Sequence, residues 1–142
     1  MKFKMIFPIF ITAVLISCNS DDNANNLLEN SDVIRVQDNL FLNAPNDDFE
    51  IIDASITDNN LNLTIVYGGG CGNIYYDLLT EHDYLDTTPI EKNIRLAFDD
   101  KDNCEAALEL KLSFNLIQIQ APNTNKIILN LSKWAEQIEY SY

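Results

Sequence analysis

The chain has 142 residues, room for one domain rather than two, and carries 22 acidic against 9 basic side chains for a formal charge of −13. Acidity on this scale excludes nucleic acid as a partner, because phosphate has to be neutralised by clustered Lys and Arg. It equally disfavours binding to anionic lipid through the protein surface, and fits a soluble, self-repelling exterior.

Residues 1–17 read as a signal peptide. Lys2 and Lys4 give a positive start, and Met5 to Ile16 form an apolar core of signal length, too short for a comfortable membrane span. The segment ends Leu15-Ile16-Ser17-Cys18, which resembles a bacterial lipobox. That resemblance implies cleavage before Cys18 and lipidation of Cys18 by fatty acyl chains of the palmitate type. Several chains on one residue hold firmly, at about 0.8 kcal/mol per buried methylene. Loss of Lys2 and Lys4 with the leader takes the charge from −13 to −15. The run Asn19-Ser20-Asp21-Asp22 resembles the export signal of Bacteroidetes-type lipoproteins, which implies outer-membrane attachment at the cell surface; the inner leaflet of that membrane is the alternative. Residues 18–32, rich in Asn, Asp and Glu, read as a disordered tether in which Leu27 and Leu28 either dock on the domain or stay exposed.

The domain is expected over residues 33–142. Val33-Ile34-Val36 and Leu40-Phe41-Leu42 read as strand, on the β-branched content of the first group. Asn43 to Asp48, containing Pro45, is a loop. Phe49 to Tyr67 reads as a hairpin. Ile52, Ala54 and Ile56 alternate with polar residues, Asp58-Asn59-Asn60 makes the turn, and Leu61, Leu63, Ile65 and Tyr67 alternate on the return. Ile74 to Leu79 is a strand apolar on both faces, and Thr80 to Pro89 a polar loop holding the single histidine, His82. Ile90 to Phe98 and Cys104 to Leu116 read as a second hairpin, with Cys104 sharing the parity of Ala106, Leu108, Leu110, Leu112 and Phe114 and so facing the core. Lys126 to Leu131 is a strand. Ser132 to Tyr142 is either an edge strand or a helical turn followed by a strand. Short strands in this number, with turn residues between them, imply an all-β, antiparallel β-sandwich, immunoglobulin-like, of about seven strands.

Cys71 lies in Gly68-Gly69-Gly70-Cys71-Gly72, where glycines permit positive φ and a sharp turn. With Cys18 committed to the anchor, Cys71 and Cys104 form an even pair in an exported chain, and one disulfide between them is expected. Closing a loop of about 34 residues is worth roughly 3–4 kcal/mol in the chain-entropy account. Two free buried thiols are the alternative. Together with that glycine-cysteine turn, Phe-Asp-Asp-Lys-Asp-Asn-Cys-Glu at 98–105 and Leu-Ser-Phe-Asn-Leu at 112–116 resemble a group of small Bacteroidetes-type lipoproteins with no established activity. The resemblance implies a β-sandwich and transfers no catalytic residue.

Candidate chemistry is sparse. The glycine run lacks the Lys and the helix of a phosphate loop, and no Cys-x-x-Cys pattern is present. Asp99, Asp100 and Asp102, near Asn103 and Glu105, could hold calcium as the alternative to no cofactor at all, although EF-hand spacing fails at Cys104. His82 stands between Glu81 and Asp83 without a Gly-x-Ser-x-Gly nucleophile. Tyr75 and Tyr84 are candidate ligand-binding residues for a sugar ring or a protein partner, among Tyr67, Tyr76, Trp134, Tyr140 and Tyr142. The reading is a lipid-anchored binding or structural accessory module and not an enzyme, its partner an unknown protein or glycan. A glycan-acting hydrolase, which needs two carboxylates facing each other across a groove, and an inhibitor or immunity-type protein presenting Thr80 to Pro89 are the alternatives.

Overall fold

The structure, a computed structural model, describes residues 28–101 and 103–142. The leader, Cys18, the tether before residue 28 and Asp102 lie outside the described residues. The rest forms two stacked sheets. One has the order β2-β3-β6, from Glu50–Thr57, Asn60–Gly69 and Ala106–Asn115. The other has the order β1-β4-β5-β7-β8, from Arg35–Val36, Ile74–Thr80, Glu91–Asp100, Lys126–Leu131 and Ile138–Ser141. The all-β sandwich with one disulfide is therefore as the residue pattern implied. Its likeness to an immunoglobulin sandwich is one of architecture, since two neighbouring pairs, β1–β4 and β5–β7, run parallel.

The core lies between the sheets and is built by period-2 patterning. Leu61, Leu63 and Ile65 of β3 and Leu112 and Phe114 of β6 face Ile94, Leu96 and Phe98 of β5 and Ile127 and Leu129 of β7. Phe98 is the aromatic hub, with the Phe49 and Tyr67 ring centroids 5.5 and 5.1 Å away.

Several local expectations are corrected. Asp38–Asn43 is a helix, α1, and not strand. It contains no β-branched residue, it begins after Gln37, and its amides bond back at Phe41 to Gln37 and at Ala44 to Leu40. Leu40 of α1 then covers Leu79 and Ala97 on the outer face of the second sheet, together with Leu28. That second small core explains why β4 is apolar on both sides. In β2 the register shifts between Ile51 and Asp53. The bulge turns Ile51 inward and leaves Ile52 48% exposed, so Ile52 does not share the buried face of Ala54 and Ile56. β5 and β6 are not a hairpin: β5 pairs with β4 and β7, β6 with β3, and the link between them crosses from sheet to sheet. Residues 132–142 form a turn followed by the edge strand β8. Finally, residues 28–32 are docked rather than part of a free tether, for reasons given below.

Candidate functional site

The disulfide end is built by two crossings. The chain leaves the three-stranded sheet through Gly70 to Asn73 and returns to it through 101–105. Cys71 and Cys104 join these crossings with Cα atoms 5.9 Å apart. Gly70 has φ +121°, which an L side chain resists, and a Cβ on Gly68 would come to 3.3 Å from Glu105 Oε2. The bridge lies at the sandwich's end and not in the core: Cys71 is exposed and Cys104 half-buried, because the inward parity of β6 begins only inside the paired strand. Beside it runs a groove of about 770 Å³ floored by Phe49, Val66 and Tyr67 and rimmed by Asp47, Asp48, Glu50, Asp100 and Glu105.

On the opposite edge of the second sheet the incoming chain is strapped down. Asp77, fully buried on the outer face of β4, accepts from the amides of Glu29 (2.8 Å) and Ser31 (2.9 Å) and pairs with the Arg35 guanidinium. Asn30 imitates a strand beside β4: its side chain donates to Ile74 O and accepts from the Tyr76 amide. Further along, Asp32 and Ile34 bond the two backbone groups of Asn115 at the end of β6. A buried carboxylate needs donors from all sides, and this segment supplies them.

The loop after β4 is gathered by Lys92. Its position continues the inward parity of Ile94, Leu96 and Phe98, and it is 1% exposed. Its ammonium donates to the carbonyls of Glu81 (2.9 Å), His82 (3.2 Å) and Asp83 (3.1 Å) and lies 4.0 Å from the centre of the Tyr84 ring. Burial lowers its pKa, opposed by the charges of Asp83, Glu81 and Asp38. Tyr84 donates to Ile119 O, and burial raises its phenol pKa. His82 sits outside, its amide and ring both on Asp38 Oδ1 at 2.8 and 3.1 Å. Those two contacts, the amide bond first, lower the Asp38 pKa. The loop is thus held at its root, while Leu85 to Pro89 stay exposed.

A second concavity, about 310 Å³, opens on the outer face of the five-stranded sheet, between α1 and the turn after β7. Phe41, Leu131 and Trp134 line it, with Asn93, Asn130 and Glu136. Asn93 and Asn130 are cross-strand neighbours on β5 and β7. Their amides belong to a network: Asn130 Nδ2 donates to Glu91 Oε2 (2.8 Å), and Gln137 Nε2 donates to Asn130 Oδ1 (3.1 Å). Aromatic walls over fixed amide dipoles are the usual composition of a site for a small polar ligand. Arg95 fixes the α1 wall by donating to the carbonyls of Phe41, Leu40 and Ala44.

The residues expected to bind ligand are not brought together. Tyr75 opens β4 opposite Asp99, whereas Tyr84 lies past the far end of that strand with its ring under Lys92. Of the expected calcium ligands, Asp99 is engaged by Lys101 at 2.7 Å, and the Asp100 amide donates to Asp47. Asp102 lies outside the described residues, and among those described no His, Cys, Asp and Glu side chains gather as a metal site. The sequence reading missed Asp77, Lys92 and Arg95. A signal existed: a charge at an inward position, or on a strand apolar on both faces, has to be buried and paired.

No family model and no curated protein matches the chain. Among solved structures it is similar to a protein of unknown function, DUF1344, from Bacteroides vulgatus ATCC 8482, with a TM-score of 0.53 and 15% identity over 78% of this chain. The chain spans about half of that protein, 54% of its length. At this identity the likeness is one of fold alone: the two share a stacking of sheets.

Proposed function

We propose that the chain is a lipid-anchored outer-membrane lipoprotein, exposed at the cell surface, whose β-sandwich is a non-catalytic binding or structural accessory module. The Leu-Ile-Ser-Cys motif at 15–18 supports the anchor. The observation that carries the reading is the strap. The chain arriving from Cys18 is fixed to the domain from Leu28 onward by Asp77. The intervening ten or so residues can extend at most roughly 35 Å. A lipidated Cys18 would therefore hold the domain close to the bilayer with one edge of the five-stranded sheet toward it. The cleft of Phe41, Asn130 and Trp134 is the surface offered to a protein or glycan.

Replacing Cys18 with Ala tests the anchor. The variant is expected in the soluble fraction, and its recovery with membranes would refute lipid attachment. Protease treatment of intact cells tests exposure, with cleavage of the wild type expected and protection assigning the inner leaflet.

A glycan-acting hydrolase is the second reading, favoured by the carboxylates around the groove at the disulfide end. Polysaccharide turnover by the full chain, abolished in Glu50→Gln or Glu105→Gln, would replace the first reading.

A further inference from the structure

We propose that two copies of this chain pair edge to edge through β6, antiparallel about a two-fold axis at Leu110, making one continuous sheet from both three-stranded sheets. β6 is an outer strand of its sheet, and its ten residues pair with β3 on one side only. Asn115 fixes the phase of the ladder. Its N–H and C=O point away from β3 and are taken by Asp32 and Ile34. By strand alternation Ala107, Glu109, Lys111 and Ser113 point their N–H and C=O outward as well. Among the described residues no hydrogen bond reaches these groups. The strap thus closes the edge at residue 115 and leaves 106–114 open, a stretch whose midpoint is Leu110.

The other sheet edges are protected. β2 carries a bulge and the acidic Glu50 and Asp53, while β1 and β8 have only 2 and 4 residues. β6 has ten residues and no bulge, and the two charges it carries, Glu109 and Lys111, are of opposite sign.

The side chains select a second copy of the same strand. With the axis at Leu110, Glu109 stands opposite Lys111 of the other copy, and Lys111 opposite its Glu109. Both face solvent, the β3 residues beside them, Val66 and Thr64, are uncharged, and within one copy the two meet only each other, at a loose 3.8 Å. Ala107 meets Ser113, and these outward-pointing backbones exchange their hydrogen bonds. On the inner face the half-buried Leu108 and Leu110 meet Leu112 and Leu110. Moving the axis to 109 or 111 sets like charges opposite each other, which disfavours either slip. The strongly acidic surface opposes association, so pairing is expected at physiological ionic strength, where exposed charges are screened beyond about 8 Å.

The test does not depend on the lipid anchor. The full chain, purified in a mild detergent at matched density, is examined by sedimentation equilibrium. A reversible dimer is expected. Glu109→Lys and Lys111→Glu should each weaken it about tenfold or more, and the double exchange, which restores opposite charges, should recover it. Circular dichroism confirms that each variant is folded. In a chain where Cys71 and Cys104 remain bridged, Leu110→Cys should form a disulfide between copies, and Ser113→Cys, which faces residue 107, should not. A monomer at all concentrations, a dimer indifferent to the single exchanges, or a pure monomer whose β6 instead binds another protein's strand would overturn the proposal.

Discussion

Arg35 and Asp77, 42 residues apart in sequence, form an ion pair in which the carboxylate has no exposure and the guanidinium side chain 13%. Glu29 extends it from the solvent side, 3.4 Å from Arg35. Asp77→Ala would take the buried carboxylate from Arg35, leaving it Glu29 on the solvent side, and would leave the Glu29 and Ser31 amides unanswered. Breaking one partner of such a pair costs about 3–5 kcal/mol. Urea unfolding should show that loss. Amide exchange should show residues 28–36 released first, and a double-mutant cycle with Arg35→Leu should show strong coupling.

The bridge between the two sheet crossings closes a sequence separation of 33 residues. Removing it by Cys71→Ser with Cys104→Ser is expected to lower stability by about 3–4 kcal/mol in the chain-entropy account. Non-reducing peptide mapping of the native chain should recover Cys71 joined to Cys104. Equilibrium unfolding with and without reductant measures the size of the effect.

Lys92→Met keeps an apolar stem but removes the ammonium from the Glu81, His82 and Asp83 carbonyls. Those acceptors then have to find water in a buried place, at a cost of about 2–4 kcal/mol for the set. Limited proteolysis should cut between residues 81 and 89 in the variant and spare the wild type. Unchanged protection of that loop would show that the carbonyls are held by other means.

The contact of His82 with Asp38 gives a pH dependence whose sign follows from the direction of the shift. The Asp38 pKa is lowered from 3.8 in the folded chain. Its contribution is therefore fully present above the unfolded value and lost as pH falls through the folded one. Melting curves of the wild type and Asp38→Asn should differ by a constant amount from pH 5 to pH 6, and converge below pH 3.8. A gap that widens on acidification would reverse the assignment.

Alternation made the strands legible. Leu61, Leu63 and Ile65, or Ile94, Leu96 and Phe98, read as one face of a strand, and the even pair of cysteines left once Cys18 is set aside led to the bridge. The errors have definite physical origins. α1 was hidden because six residues carry too little periodicity, and its helical state is held by Arg95 from β5 through three carbonyls. Ile52 was misplaced because one bulged residue reverses parity. Tyr75 and Tyr84 read as one binding face on the strength of residue type, yet β4 runs between them.

From its residues alone the chain determined that it builds acidic, disulfide-linked β-structure, because side-chain alternation, charge and cysteine number are local or additive properties. Which strands became neighbours was decided in three dimensions. Parallel pairing of β5 with β7, the crossing from β5 to β6, and the burial of Asp77 and Lys92 depend on contacts between residues far apart in sequence. Such contacts form only where the whole set of apolar faces can be covered at once, so no single segment encodes them.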